Sequence, residues 1–118
     1  RGQDAEGQQV LESALASVHA PAPIEQSLGL LLVRRQQMDQ ALDHLRRAAE
    51  SPTAPARYVY VYGVALDSQG RTEDAIVELK SAAQRYPGNQ EILSALVSFL
   101  RKQGQAEQAA RYQRQLRQ

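Results

Sequence analysis

The same residue types return in this chain every 34 positions. Gly29 repeats as Gly63, Leu32 as Leu66 and Leu100, and Ala41 as Ala75 and Ala109. Leu45 repeats as Leu79, and Ala48-Ala49 as Ala82-Ala83. A period of about 20–50 residues marks a repeat array, in which one supersecondary unit buries its apolar face only by stacking on the next. Stacked helix pairs build an extended surface with no natural pocket for chemistry, so the pattern points to a binding scaffold.

Breakers cut the chain into seven helical stretches, near 3–18, 23–36, 39–50, 55–69, 72–85, 89–103 and 106–117. They are Pro21 and Pro23, Gln36-Gln37, Pro52 and Pro55, Gly70, Pro87-Gly88 and Gly104. Gly70 and Gly104 stand where a helix C-terminus favours a left-handed residue. Thr72 and Asn89 read as N-caps, with acids in the turn that follows. Connections this short make consecutive helices antiparallel neighbours. One stretch argues otherwise: Arg57-Tyr58-Val59-Tyr60-Val61-Tyr62 alternates like a strand. The repeat register aligns it with Ile24–Leu28 and Ile92–Leu96, and the expectation is therefore helix.

The small residues have a packing reason. Gly29 and Ala41 lie on consecutive helices, as do Gly63 and Ala75. Small side chains at a crossing let the axes approach, and Leu32 with Leu45, or Leu66 with Leu79, fill the space beside it.

These residues resemble the tetratricopeptide repeat family. Unit 56–89 carries Tyr62-Gly63, Leu66, Gly70, Ala75, Leu79, Ala82 and Pro87 at the family spacing. Unit 22–55 carries Leu28-Gly29, Leu32, Ala41, Leu45 and Ala48. Unit 90–118 keeps Leu96, Leu100, Gly104 and Ala109, with Val97 in place of the Gly. Glu25, Val59 and Leu93 stand at a family aromatic slot. Residues 3–18 look like the second helix of a preceding unit, because Leu11 and Ala14 fall 34 before Leu45 and Ala48. The resemblance implies an all-α, right-handed superhelical array of antiparallel helix pairs, about three repeats plus an N-terminal half repeat, forming one domain over 1–118. A weaker resemblance links the phrase from Ala56 to Ala75 to C-terminal repeat segments of bacterial multihaem cytochrome c-like proteins, which are exported. Their Cys-x-x-Cys-His haem motif is not in this sequence.

By the same resemblance, the concave groove takes Gln26, Leu30 and Arg34 from the first unit, Arg57, Tyr60, Val64 and Asp67 from the second, and Ser94, Ser98 and Arg101 from the third. Leu30, Tyr60 and Val64 are read either as the groove's apolar floor or as completing the core. The family's carboxylate-binding cluster maps onto Gln26, Leu30, Val61, Glu91 and Ala95. None of these carries positive charge, which excludes recognition of a chaperone tail. Helical phase puts Tyr58 and Tyr62 together on the inter-helix side and Tyr60 with Val64 on another stripe.

Nothing in the chain forms a catalytic constellation. His19 and His44 read as solvated surface histidines, without metal-ligand spacing. The recurring acids Asp39, Glu73-Asp74 and Glu107 read as dipole partners in first turns. Arg101, Lys102, Arg111, Arg114 and Arg117 read as a solvated basic end rather than a nucleic-acid patch. Net charge is +1 and there is no Cys, which leaves cytoplasm and periplasm both open. The 18 Ala, 16 Gln and 12 Arg fit the codon bias of a GC-rich bacterium. No apolar run is long enough for a membrane span.

The expected function is therefore non-enzymatic, without cofactor or metal. The chain binds a protein or peptide segment in the groove, with no nucleic acid and no membrane insertion. The alternatives are a structural or assembly segment that docks on other domains of its own chain, such as an exported redox protein, or a homo-oligomerising module. Arg1 is not an initiator Met, so the chain reads as cut from something longer. Its first helix is then expected to leave an apolar stripe at Val10, Leu11 and Leu15, while its Gln- and Arg-rich last helix caps the array.

Overall fold

Each of the six fully described helices begins with negative charge or a proline and ends with positive charge, with one exception that matters below. The computed structural model describes residues 7–9 and 21–117. Residues 7–9 are helical; the expected stripe at Val10, Leu11 and Leu15, and His19, lie outside the described residues. Six helices follow: α1 (Ala22–Arg34), α2 (Met38–Glu50), α3 (Ala56–Ser68), α4 (Thr72–Arg85), α5 (Gln90–Lys102) and α6 (Ala106–Arg117). No strand occurs among the described residues. Glu25, Asp39, Glu73 with Asp74, Glu91 and Glu107 occupy first turns, where the helix dipole favours them. Pro at the start of α1 costs no hydrogen bond there, since that N–H has no helical partner.

The tyrosine-rich stretch is helical throughout. Val59, Tyr62, Gly63 and Leu66 are buried on one face of α3, a 3–4 residue period that no strand could satisfy. Local β-preference yields to tertiary burial at these positions.

The turns repeat as faithfully as the helices. The Leu32, Leu66 and Leu100 carbonyls accept from the backbone N–H of Gln37, Arg71 and Gln105, at 2.9, 2.9 and 2.8 Å. This is the six-to-one bond of a Schellman stop, and it needs a left-handed residue just before the donor. Gly70 and Gly104 provide it, with φ of 78° and 75°. Gln36, one period earlier, adopts φ of 60° without being glycine. Asn89 caps α5 as expected, its Oδ1 accepting from Ile92 N–H at 3.0 Å. Thr72 is not a cap. It is the first residue of α4, buried, and donates its hydroxyl to Asp67 Oδ1 at 2.7 Å.

Backbone contacts divide the chain into two units, one ending at Tyr58 and the other starting at Val59. In the first, α1 packs on α2 around Leu28, Leu31, Leu32 and Ala41. In the second, α4 packs on α5 and α5 on α6. Its core includes the fully buried Leu66, Leu79, Ile92, Leu93, Leu96 and Leu100. A Cβ on Gly29 would stand 2.6 Å from Leu45 Cδ2, and one on Gly63 would stand 3.1 Å from Leu79 Cδ2. Ala41 and Ala75, on the same helices as Leu45 and Leu79, are buried, as is Ala109 on α6. Ala109 is the one buried position of α6, whose other described side chains are half-buried or exposed.

Candidate functional site

Two helices of the second unit each turn a stripe toward one concavity. From α3 come Tyr60, Val64 and Asp67, at spacings of four and three, which line up on one helical face. From α5 come Gln90, Glu91, Ser94, Ala95, Ser98 and Phe99. Together they enclose an open cleft of about 490 Å³. The opposite stripe of α3, Val59, Tyr62 and Leu66, is buried, so core residues hold the cleft-lining residues in place from behind.

Val64 is one of three large apolar residues that remain exposed among the described residues, at 39%; Leu30 and Val77 are the others. Tyr60 is half-buried, Ser94 and Ser98 are exposed, and Ala95 and Phe99 are buried at the cleft's base. Asp67 is the exception noted above: a carboxylate in the last turn of α3, where the dipole disfavours negative charge and no basic residue is present. It is compensated from outside the helix. Lys102 Nζ donates to Oδ1 at 2.8 Å and Thr72 Oγ1 at 2.7 Å. The hydrogen bond from Lys102, and then that from Thr72, holds the Asp67 carboxyl below its ordinary value.

Of the residues singled out in the sequence, Tyr60, Val64, Asp67, Ser94 and Ser98 line this cleft. Arg57 and Arg101 are exposed but do not line it; Arg101 Nη2 lies 3.5 Å from Gln113 Oε1. In the first unit Leu30 and Arg34 are exposed on α1. Gln26, expected as a polar edge, is buried instead, and its Oε1 has no hydrogen-bond partner among the described residues. Gln90 and Phe99 belong to the cleft but escaped sequence reasoning. Gln90 lies one turn before Ser94 and follows from phase, while Phe99 lies one turn after Ala95 rather than on the stripe of the two serines.

His44 also departs from its reading as a solvated histidine. Its side chain is 18% exposed, and Nδ1 lies 3.1 Å from Glu25 Oε2, with Arg47 Nη1 3.8 Å from the same oxygen. Glu25 itself is buried. A buried carboxylate needs such partners, so the pair is structural. Among the described residues no group of three or more His, Asp or Glu side chains is placed to hold a metal, and no helix is long and apolar enough to cross a membrane.

Residues 68–117 match the family model described as a tetratricopeptide repeat. Over that span, α4 to α6, the helices follow the tetratricopeptide pattern. The repeat chain is similar to the solved structure of MamA from AMB-1, with 28% identity over 92% of this chain and 59% of that one, at a TM-score of 0.76. It is also similar to MamA from MSR-1, with 27% identity over 97% of this chain and 66% of that one, at a TM-score of 0.73. YrrB, described as a TPR protein with an unusual peptide-binding site, shares the repeat fold at 20% identity over 97% of this chain and 59% of its own, with a TM-score of 0.76. The repeat chain thus spans less than two thirds of the length of each of these structures. No curated protein matches its sequence.

Proposed function

We propose that this chain is a non-enzymatic scaffold that binds an extended or helical protein segment in the cleft between α3 and α5. The observation that carries the reading is the cleft's make-up. An exposed Val64 and the buried Phe99 and Ala95 share the lining with Tyr60, Ser94, Ser98 and Asp67. An apolar centre with a polar rim is the anatomy of a protein-binding patch. Tyr is also enriched among residues that dominate binding energy. The peptide-binding description of YrrB is in keeping with this use of the fold.

The test is binding to an immobilised array of octapeptides. Tyr60→Ala is expected to weaken binding by about 1–2 kcal/mol while leaving the melting temperature close to wild type. Val64→Glu is expected to abolish it, and Val77→Glu, at an exposed position that does not line the cleft, to leave it unchanged. Binding that is indifferent to both Tyr60 and Val64 refutes the assignment.

A further inference from the structure

The charged residues that line the cleft are both acids, Asp67 and Glu91. Neither belongs to the repeat pattern. The register places Val33 and Arg101 at the positions equivalent to Asp67, and Arg57 at the position one period before Glu91. The scaffold therefore does not need a carboxylate at either place, and at Asp67 the helix dipole opposes one.

Asp67 also keeps capacity in hand. Both of its hydrogen bonds, from Lys102 and Thr72, fall on Oδ1, which leaves Oδ2 without a partner among the described residues. Its side chain is 20% exposed, while that of Lys102 is 56% exposed. An ion pair with one arm so open to water is worth little, and an incoming cation displaces it easily. Beside this carboxylate lies the exposed Val64.

We infer that the cleft selects a segment presenting a lysine or arginine next to an apolar side chain, with the cation taken by Asp67 and the apolar group set on Val64, one turn before it on the same face of α3. The inference rests on the peptide-binding reading above and adds the ligand's charge. It inverts the carboxylate recognition that a positively lined groove would give: charge complementarity here draws in a cation and repels an anion.

The experiment uses three fluorescein-labelled octapeptide mixtures. Each has a central Leu followed by Arg, Gln or Glu, with the remaining positions drawn from Gly, Ser and Ala. The Arg mixture should bind at least tenfold tighter than the Glu mixture, and the gap should shrink as salt rises. Asp67→Asn, which keeps an acceptor for Thr72, should erase most of that preference. Lys102→Ala should tighten the Arg mixture severalfold by removing the competitor. Equal binding of Arg and Glu mixtures, or weaker binding in Lys102→Ala, overturns the charge assignment and leaves the groove reading standing. Absence of binding by all three mixtures overturns both.

Discussion

Replacing Gly29 with Ala tests how closely the two helices of a repeat approach. The new Cβ would meet Leu45 Cδ2 at 2.6 Å, Cγ at 2.7 Å and the Leu45 backbone nitrogen at 3.2 Å, all inside ordinary contact. Leu45 is fully buried, so its side chain has no room to swing away, and the nearby nitrogen means that α2 itself must move. Overpacking of this kind costs about 1–3 kcal/mol, and a contact on the Leu branch point belongs at the upper end. Ala in place of Gly in a helix returns about 1 kcal/mol. The net expectation is a loss of about 1–2 kcal/mol. At Gly63 the same atoms of Leu79 stand at 3.1 Å, close enough to ordinary contact for small adjustments to absorb. Gly63→Ala should therefore lie near zero, while Gly63→Leu should cost about 1–3 kcal/mol. Urea titration followed by circular dichroism at 222 nm measures both alanine variants. A drop in melting temperature of about 4 °C per kcal/mol gives a second readout for a chain of this size. Gly29→Ala that matches or exceeds wild-type stability, or Gly63→Ala that costs more than Gly29→Ala, refutes the reasoning.

Gln36→Gly should stabilise the protein by about 1 kcal/mol, because it relieves a left-handed backbone on a residue with a Cβ; Gln36→Ala should give no such gain in the same titration. Tyr62→Ala should cost about 3 kcal/mol, since that ring is buried on the core face of α3, and a melting temperature near wild type would show the helical phase to be wrong. Asp67 has a folded-state pKa depressed below its unfolded value of 3.8, so its contribution is present above that value and is lost as pH falls through the folded one. Between pH 5 and pH 2, wild type should therefore lose more of its urea midpoint than Asp67→Asn, and parallel curves would contradict the Lys102–Asp67 geometry.

The period-34 pattern carried nearly all of the helix order, because each repeated residue answers to packing that recurs. Gly29, Ala41, Leu66 and Leu79 lie where the register demands. Reading it one step further would also have found the Gln36 turn, since Gly70 and Gly104 project back onto that position. The parts that stayed hidden are those where this chain leaves its own pattern. Glu25 occupies a place held by Val59 and Leu93 in the other repeats, so an acid in an apolar register already called for a partner. His44 and Arg47 supply it from α2, but which residues would do so depends on how the two helices are rotated about their axes. Gln26 was hidden for the same reason: its burial follows from the packing around it and not from its neighbours in sequence. Within the cleft, Tyr60, Val64 and Ser94 followed from the family resemblance, whereas the Asp67–Lys102 bridge joins residues 35 apart that no local rule connects.

The recurring stop after each first helix has a kinetic meaning. Every bond that reverses the chain there spans five residues, and the Leu that accepts it also enters the core of the same hairpin. Hairpins closed by such near neighbours form early, because little chain entropy is lost before contacts repay it. Where glycine occupies the bend, at Gly70 and Gly104, the reversal is almost free to sample in the unfolded chain; at Gln36 it is a rare excursion. The second unit is thus the natural place for folding to begin, and the end holding Gln36 is the one from which the chain unravels.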